Sequence, residues 1–152
     1  MKTHIISGGI SGAITDTNSD RALQHADTFY EAIRKRTDDV EHIARNTGYP
    51  VPVIKRIKDY LFIEEHLLDD VMKKFESCFE IAQSWHRLAY EPECIQPHDL
   101  LLLKHEIREM EYVEKGFSQD EAHTIASREF DYSHDSRMFY EELAAKQNKD
   151  KD

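Results

Sequence analysis

The chain has 152 residues, with 20 Lys+Arg against 30 Asp+Glu for a formal charge of -10, and 39% of its residues are hydrophobic against 33% charged. This fits one compact domain that buries about two-thirds of its unfolded surface and needs neither disulfide nor metal merely to fold. Five Gly and four Pro exclude collagen-like and Pro/Gly-rich disordered classes, and no apolar run reaches spanning length. The N-terminal stretch does not read as a signal peptide, and Cys78 and Cys94 lack metal-type spacing, so a reduced pair in the cytoplasm is expected.

The acidity is uneven. Residues 1–60 carry nine basic against eight acidic side chains, and residues 61–152 eleven against twenty-two. The overall charge disfavours nonspecific binding to phosphate backbones, while the first half retains room for a local basic patch.

Residues 1–19 hold three of the five glycines and no sustained periodicity, and are expected to form a flexible arm. From Asp20, Leu23, Ala26, Phe29, Tyr30 and Ile33 follow helical spacing. Thr37 is placed to cap a short helix carrying Val40, Ile43 and Ala44; Gly48 ends it, and Pro50 and Pro52 introduce the next. Ala44, Gly48, Ile54 and Ile57 match a helix-turn-helix pattern.

Beyond Tyr60 the pattern reads as one long helix, or two with a bend near Asp69, with Leu68, Val71, Met72, Phe75, Cys78, Phe79, Ala82, Trp85 and Leu88 on one side. Pro92 and Pro97 bracket a loop. A helix of about five turns then runs over 98–115 to Gly116. Ser118 and Glu121 stand at capping-box spacing, and a last helix through Met138, Tyr140 and Leu143 frays into a disordered tail at 149–152. The expected fold is all-α: a bundle of about six helices in a single domain over 20–148, with a helix-turn-helix-like part at 20–66 and an acidic His/Glu part at 67–148.

At about 100° per residue from His98, Leu100, Leu102, Leu103, Ile107, Met110 and Val113 share an apolar arc that also holds Asp99 and Glu106. Carboxylates there must be paired, protonated or bound to a cation. His98, His105 and Glu109 line the edge of that arc, and Glu109, four residues after His105, converges with it. The next helix adds His123, with Ala122 and Ala126 small enough for close approach. His105, Glu109 and His123 are therefore the candidate ligands of a divalent metal, zinc being the expected ion, with Glu106 and Asp99 as candidate acid/base groups. His-Glu-Ile-Arg-Glu at 105–109 departs from the zinc-protease pattern H-E-x-x-H in its last residue, and the same set also suits a hydrogen-bonded packing network. Taken singly, His66, His86 and His98 read as surface or capping residues rather than ligands, and Arg87 is unassigned.

The alternative is a non-enzymatic module, reading DNA through Lys55, Arg56 and Lys58 or docking on a protein. Residues 32–60 hold seven basic side chains, interrupted by Asp38, Asp39, Glu41 and Asp59.

The segments SGAI, FYEAIRKRTDDVEHIARNTG, IKDYLF with a histidine just beyond it, IAQSWHRL, HDLLLLKHEIRE and GFSQDEAHTIASREFDY, spread over residues 11–132, together resemble a small helical domain family of bacterial mobile elements. That family occurs alone or at the C-termini of phage minor-head-like proteins and polymorphic toxins. The resemblance implies that the H-E-x-x-E segment and the A-H pair, here His105, Glu106, Glu109, Ala122 and His123, carry function. It also implies a toxin-type hydrolase activity and a phage or mobile-element protein as partner. The acidic C-terminal part favours a peptide or small-molecule substrate.

Overall fold

The computed structural model describes residues 16–150. Most of the expected N-terminal arm and the end of the expected tail lie outside the described residues. Among the described residues the architecture is all-α, with seven α-helices where about six were expected, and one small hairpin. The helices are α1 (Asp20–Lys35), α2 (Asp39–Thr47), α3 (Val51–Lys58), α4 (Phe79–Tyr90), α5 (Pro97–Glu114), α6 (Gln119–Glu129) and α7 (Tyr132–Asp150).

Helix α1 starts where the Ser19 hydroxyl accepts a hydrogen bond from the Ala22 amide, satisfying one of the orphan donors of the first turn. Its buried stripe is Ala22, Ala26, Phe29, Tyr30 and Ile33, whereas Leu23 faces solvent. The residue before α2 is Asp38 rather than Thr37, and it makes no side-chain cap. Asp39 is instead buried, taking hydrogen bonds from Lys58 Nζ at 2.9 Å and Trp85 Nε1 at 3.0 Å. Local capping gives way to a tertiary contact that ties α2, α3 and α4 together. Gly48 closes α2 with φ of 85°, a left-handed conformation that costs glycine nothing.

The stretch expected to be helical before residue 79 is not. After α3 the chain makes a π-helical turn, Asp59–Ile63, and then a hairpin of β1 (His66–Leu68) and β2 (Val71–Lys73), paired antiparallel with Leu67 opposite Met72. Asp69 and Asp70 have φ of 51° and 66°, the positive pair that a two-residue hairpin turn demands and a helix forbids. A short apolar run fits either period, and the turn decides between them. Leu67, Val71 and Met72 are consequently exposed, contrary to the core role expected of Val71 and Met72.

The main core packs Tyr30, Ile33, Ile43, Ile54, Ile57, Phe62, Trp85, Leu88 and Leu103. A smaller cluster of Ala22, Ala26, Phe79 and Tyr140 seats α7 on α1 and α4. No helix among the described residues is long and apolar enough to cross a membrane.

Candidate metal centre

Helix α5 begins with Pro97 at its first position and a capping box between Gln96 and Asp99. Its buried face carries Leu102, Leu103 and Met110 together with His98, Asp99, His105, Glu106 and Glu109. Leu100, at the margin of the expected arc, faces solvent. Gly116, at φ of 100°, then reverses the chain. Ser118 and Glu121 form the expected capping box, the Glu121 amide donating to Ser118 Oγ at 3.2 Å and the Ser118 amide to Glu121 Oε1 at 3.1 Å. Ala122 and Ala126 are wholly buried, so α6 lies close against α5.

That approach brings three of the expected ligands together. His105 Nε2 lies 3.3 Å from Glu109 Oε1 and 3.3 Å from His123 Nδ1, and His123 Nδ1 lies 2.9 Å from Glu109 Oε1. His105 and Glu109 are buried, while the His123 side chain is 58% exposed, so the cluster meets solvent on the α6 side. These three residues can coordinate a metal ion.

The hydrogen-bond count inside the cluster is short of protons. His105 faces the Phe130 carbonyl with Nδ1 at 3.0 Å. Placing the ring proton there leaves the Nε2 lone pair of the neutral ring aimed at Glu109 and His123, as in metal-bound histidines. Glu109 Oε1 is acceptor only, so one His123 N–H is left to serve both neighbours. An added proton or a cation resolves this.

Electrostatics follows the same geometry. Burial acts to raise the Glu109 pKa, but its close contacts with His105, His123 and Tyr60 outweigh it and hold the carboxyl below the usual carboxylate range. The hydrogen bond to Glu109 raises the pKa of His123 against the opposing effect of burial. Glu106 is 5% exposed, its Oε2 3.9 Å from His105 Nε2 and its Oε1 without a hydrogen-bond partner. Burial, then the charge on Glu109, pushes its pKa well above the usual carboxylate range.

Asp99 is not brought to this cluster. It sits two turns earlier on α5, wholly buried, and its oxygens accept from Arg87 Nε and Nη2 (both 2.8 Å), Ser84 Oγ (2.6 Å) and the Gln96 amide (2.8 Å). Arg87 is thus the partner that Asp99 needs on an apolar face. The three basic residues proposed for DNA are also engaged. Lys58 is buried against Asp39 and the Arg36 carbonyl, Lys55 holds Asp59 at 2.7 Å, and Arg56 reaches Glu64 and Glu114 at 3.5 and 3.7 Å.

His66, His86 and His98 are less superficial than expected. His66 is buried, stacked on Phe75 with ring centroids 4.1 Å apart, and His98 lies 3.3 Å from Arg87 Nη2. His86 is partly buried against Phe29.

Two residues of the site escaped the sequence reading. The Tyr60 hydroxyl donates to Glu109 Oε2 and lies 2.8 Å from Gln119 Oε1. Gln119 precedes His123 by four residues on α6, a spacing that marks it as sharing that face. Tyr60 carried no such mark, because its contact crosses from the π-helical turn to α5. A groove of about 590 Å³ between the hairpin and the first turn of α6 also reaches Gln119. No protein-family model matches the chain, and no curated protein or solved structure gives a significant match.

Proposed function

We propose that this protein is a metal-dependent hydrolase acting on a peptide or small-molecule substrate, with zinc held by His105, Glu109 and His123 and with Glu106 as general base. The observation that carries the reading is the size of the ligand triangle. Ligands about 2.0–2.1 Å from a tetrahedral zinc stand about 3.3 Å apart, and the three edges here are 3.3, 3.3 and 2.9 Å. Two histidines and one carboxylate with a solvent-facing fourth side is the donor set of catalytic rather than structural zinc. The ion would supply Lewis acidity and lower the pKa of water in the fourth position.

A cation in the cluster would offset the burial that raises the Glu106 pKa, leaving a carboxylate to take a proton from such a water and return it to the leaving group. Its carboxyl is otherwise a buried acid with one unpaired oxygen, a costly group in a purely structural core. The phage and mobile-element setting, and a toxin-like role in the cytoplasm, are part of this proposal and rest on the resemblance of the motif segments.

Metal analysis of untagged protein is expected to find about one zinc per chain, lost in His123→Ala and Glu109→Ala. Glu106→Gln should keep the metal and abolish hydrolysis in a panel of peptide, ester and amide substrates. Absence of stoichiometric metal, with every assayed activity unchanged in Glu106→Gln, would overturn the reading.

A further inference from the structure

Tyr60 stands on the π-helical turn, an irregularity that recurs at functional sites. The turn closes with the Glu64 amide bonded to the Asp59 carbonyl at 2.8 Å. Its extra residue per turn changes the direction in which side chains leave the backbone after α3. The Tyr60 ring is buried, edge-on to His66 (4.7 Å) and Phe75 (5.4 Å), so its rotamer is fixed by packing on both sides.

The phenol has one proton and two acceptors in reach, Glu109 Oε2 and Gln119 Oε1. The Gln119 amide is oriented from its far side. His66 Nε2 donates to the Tyr60 carbonyl at 2.8 Å, which leaves His66 Nδ1 to accept from Gln119 Nε2 at 3.4 Å and turns the amide oxygen toward Tyr60. Between a neutral amide oxygen and a carboxylate, the charge-assisted bond is the stronger, so the proton serves Glu109.

Glu109 therefore presents its oxygens to different partners, Oε1 to the two histidines and Oε2 to Tyr60. Resting on the metal reading of the same cluster, we propose that Tyr60 is a positioning residue that holds Glu109 to coordination through one oxygen, keeping a position open for water. Without the phenol, Oε2 is released to swing toward the ion, and Glu109 chelates through both oxygens. The Gln119 and His66 pair is the support behind Tyr60, linking the metal centre to the base of the hairpin.

Tyr60→Phe removes one oxygen and keeps both ring contacts. Zinc affinity, measured by competition with a chelator, is expected to fall 10- to 100-fold, the usual effect of losing a partner behind a ligand. With Co²⁺ in place of zinc, the visible spectrum of the wild type should be that of a four-coordinate ion, and that of Tyr60→Phe the weaker spectrum of five-coordination. Tyr49→Phe removes a partly buried phenol of the α2–α3 turn, outside the cluster, and should leave spectrum and affinity unchanged within about twofold. Unchanged affinity and spectrum in Tyr60→Phe would overturn the proposal while leaving the metal reading intact, whereas a wild type that binds no metal removes the metal reading itself. If Tyr60→Phe fails to fold, the Co²⁺ spectrum of the wild type decides: a four-coordinate spectrum supports one-oxygen coordination by Glu109, and a five-coordinate one with Tyr60 in place overturns the proposal.

Discussion

Replacing Arg87 by Met tests what the buried carboxylate on α5 is for. Asp99 has no exposed surface and receives four hydrogen bonds, two of them from Arg87. The substitution leaves the hydroxyl of Ser84 and the amide of Gln96, but no counter-charge. Breaking such a pair from one side costs about 3–5 kcal/mol, because the remaining charge is stranded in low dielectric. For a chain of this length that corresponds to a fall in Tm of roughly 10 °C.

Asp99→Asn strands Arg87 in the same way and should cost about as much. In Arg87→Met/Asp99→Asn no charge is left, and the Asn oxygen still accepts from the Gln96 amide, so the capping box survives. The double variant is expected to recover to within about 1–2 kcal/mol of wild type, a strongly non-additive result for residues in direct contact. Urea denaturation of the four proteins measures the cycle, and zinc content should be the same in all of them. Additive losses, or loss of zinc in Asp99→Asn, would refute the structural role assigned to this pair.

Zinc should stabilise the folded chain: at 100 times its Kd a ligand adds about 2.7 kcal/mol, or roughly 5–10 °C in Tm, a gain that EDTA removes and His123→Ala lacks in thermal melts. Burial, against the opposing pull of Asp99, holds the pKa of His98 below its ordinary 6.5. The unfolded chain therefore binds more protons than the folded one as pH falls through 6.5, so stability drops on acidification and is regained above it. His98→Phe, whose ring has Phe139 for a neighbour at 4.9 Å, should be less stable at pH 7 yet show a flatter profile between pH 7 and 5 by chemical denaturation. An unchanged slope would exclude His98 as its source. Asp69→Asn/Asp70→Gly puts the favoured turn pair at the two positive φ angles and should raise stability by about 0.5–1 kcal/mol in urea titrations.

How far the sequence was legible depends on where each residue's partner lies. The buried stripe of α1, the glycine that closes α2, the capping box of α6 and the face of α5 all follow from the period and termini of one helix, and each was readable. The convergence of His105, Glu109 and His123 needed only one further step, the assumption that a short turn after Gly116 folds α6 back on α5 where Ala122 and Ala126 admit it. The hairpin was missed because three-residue apolar runs carry no period, and two aspartates signal a turn less clearly than Asn-Gly. The helix-turn-helix reading found a real pair of helices, one of whose three named cations, Lys58, is buried. Lys58 looked like a free cation because Asp39 lies nineteen residues away, and burial of both became apparent only once Trp85 on α4 closed over them. The same holds for Asp99, whose partner Arg87 belongs to another helix, and for Tyr60, forty-nine residues from Glu109. In this chain the candidate metal ligands are announced by local spacing, whereas the groups that would orient or neutralise them are not. A sequence search for related sites should therefore start from the His-Glu-x-x-Glu and Ala-His segments, and judge each hit by whether the fold supplies a phenol to the second carboxylate oxygen.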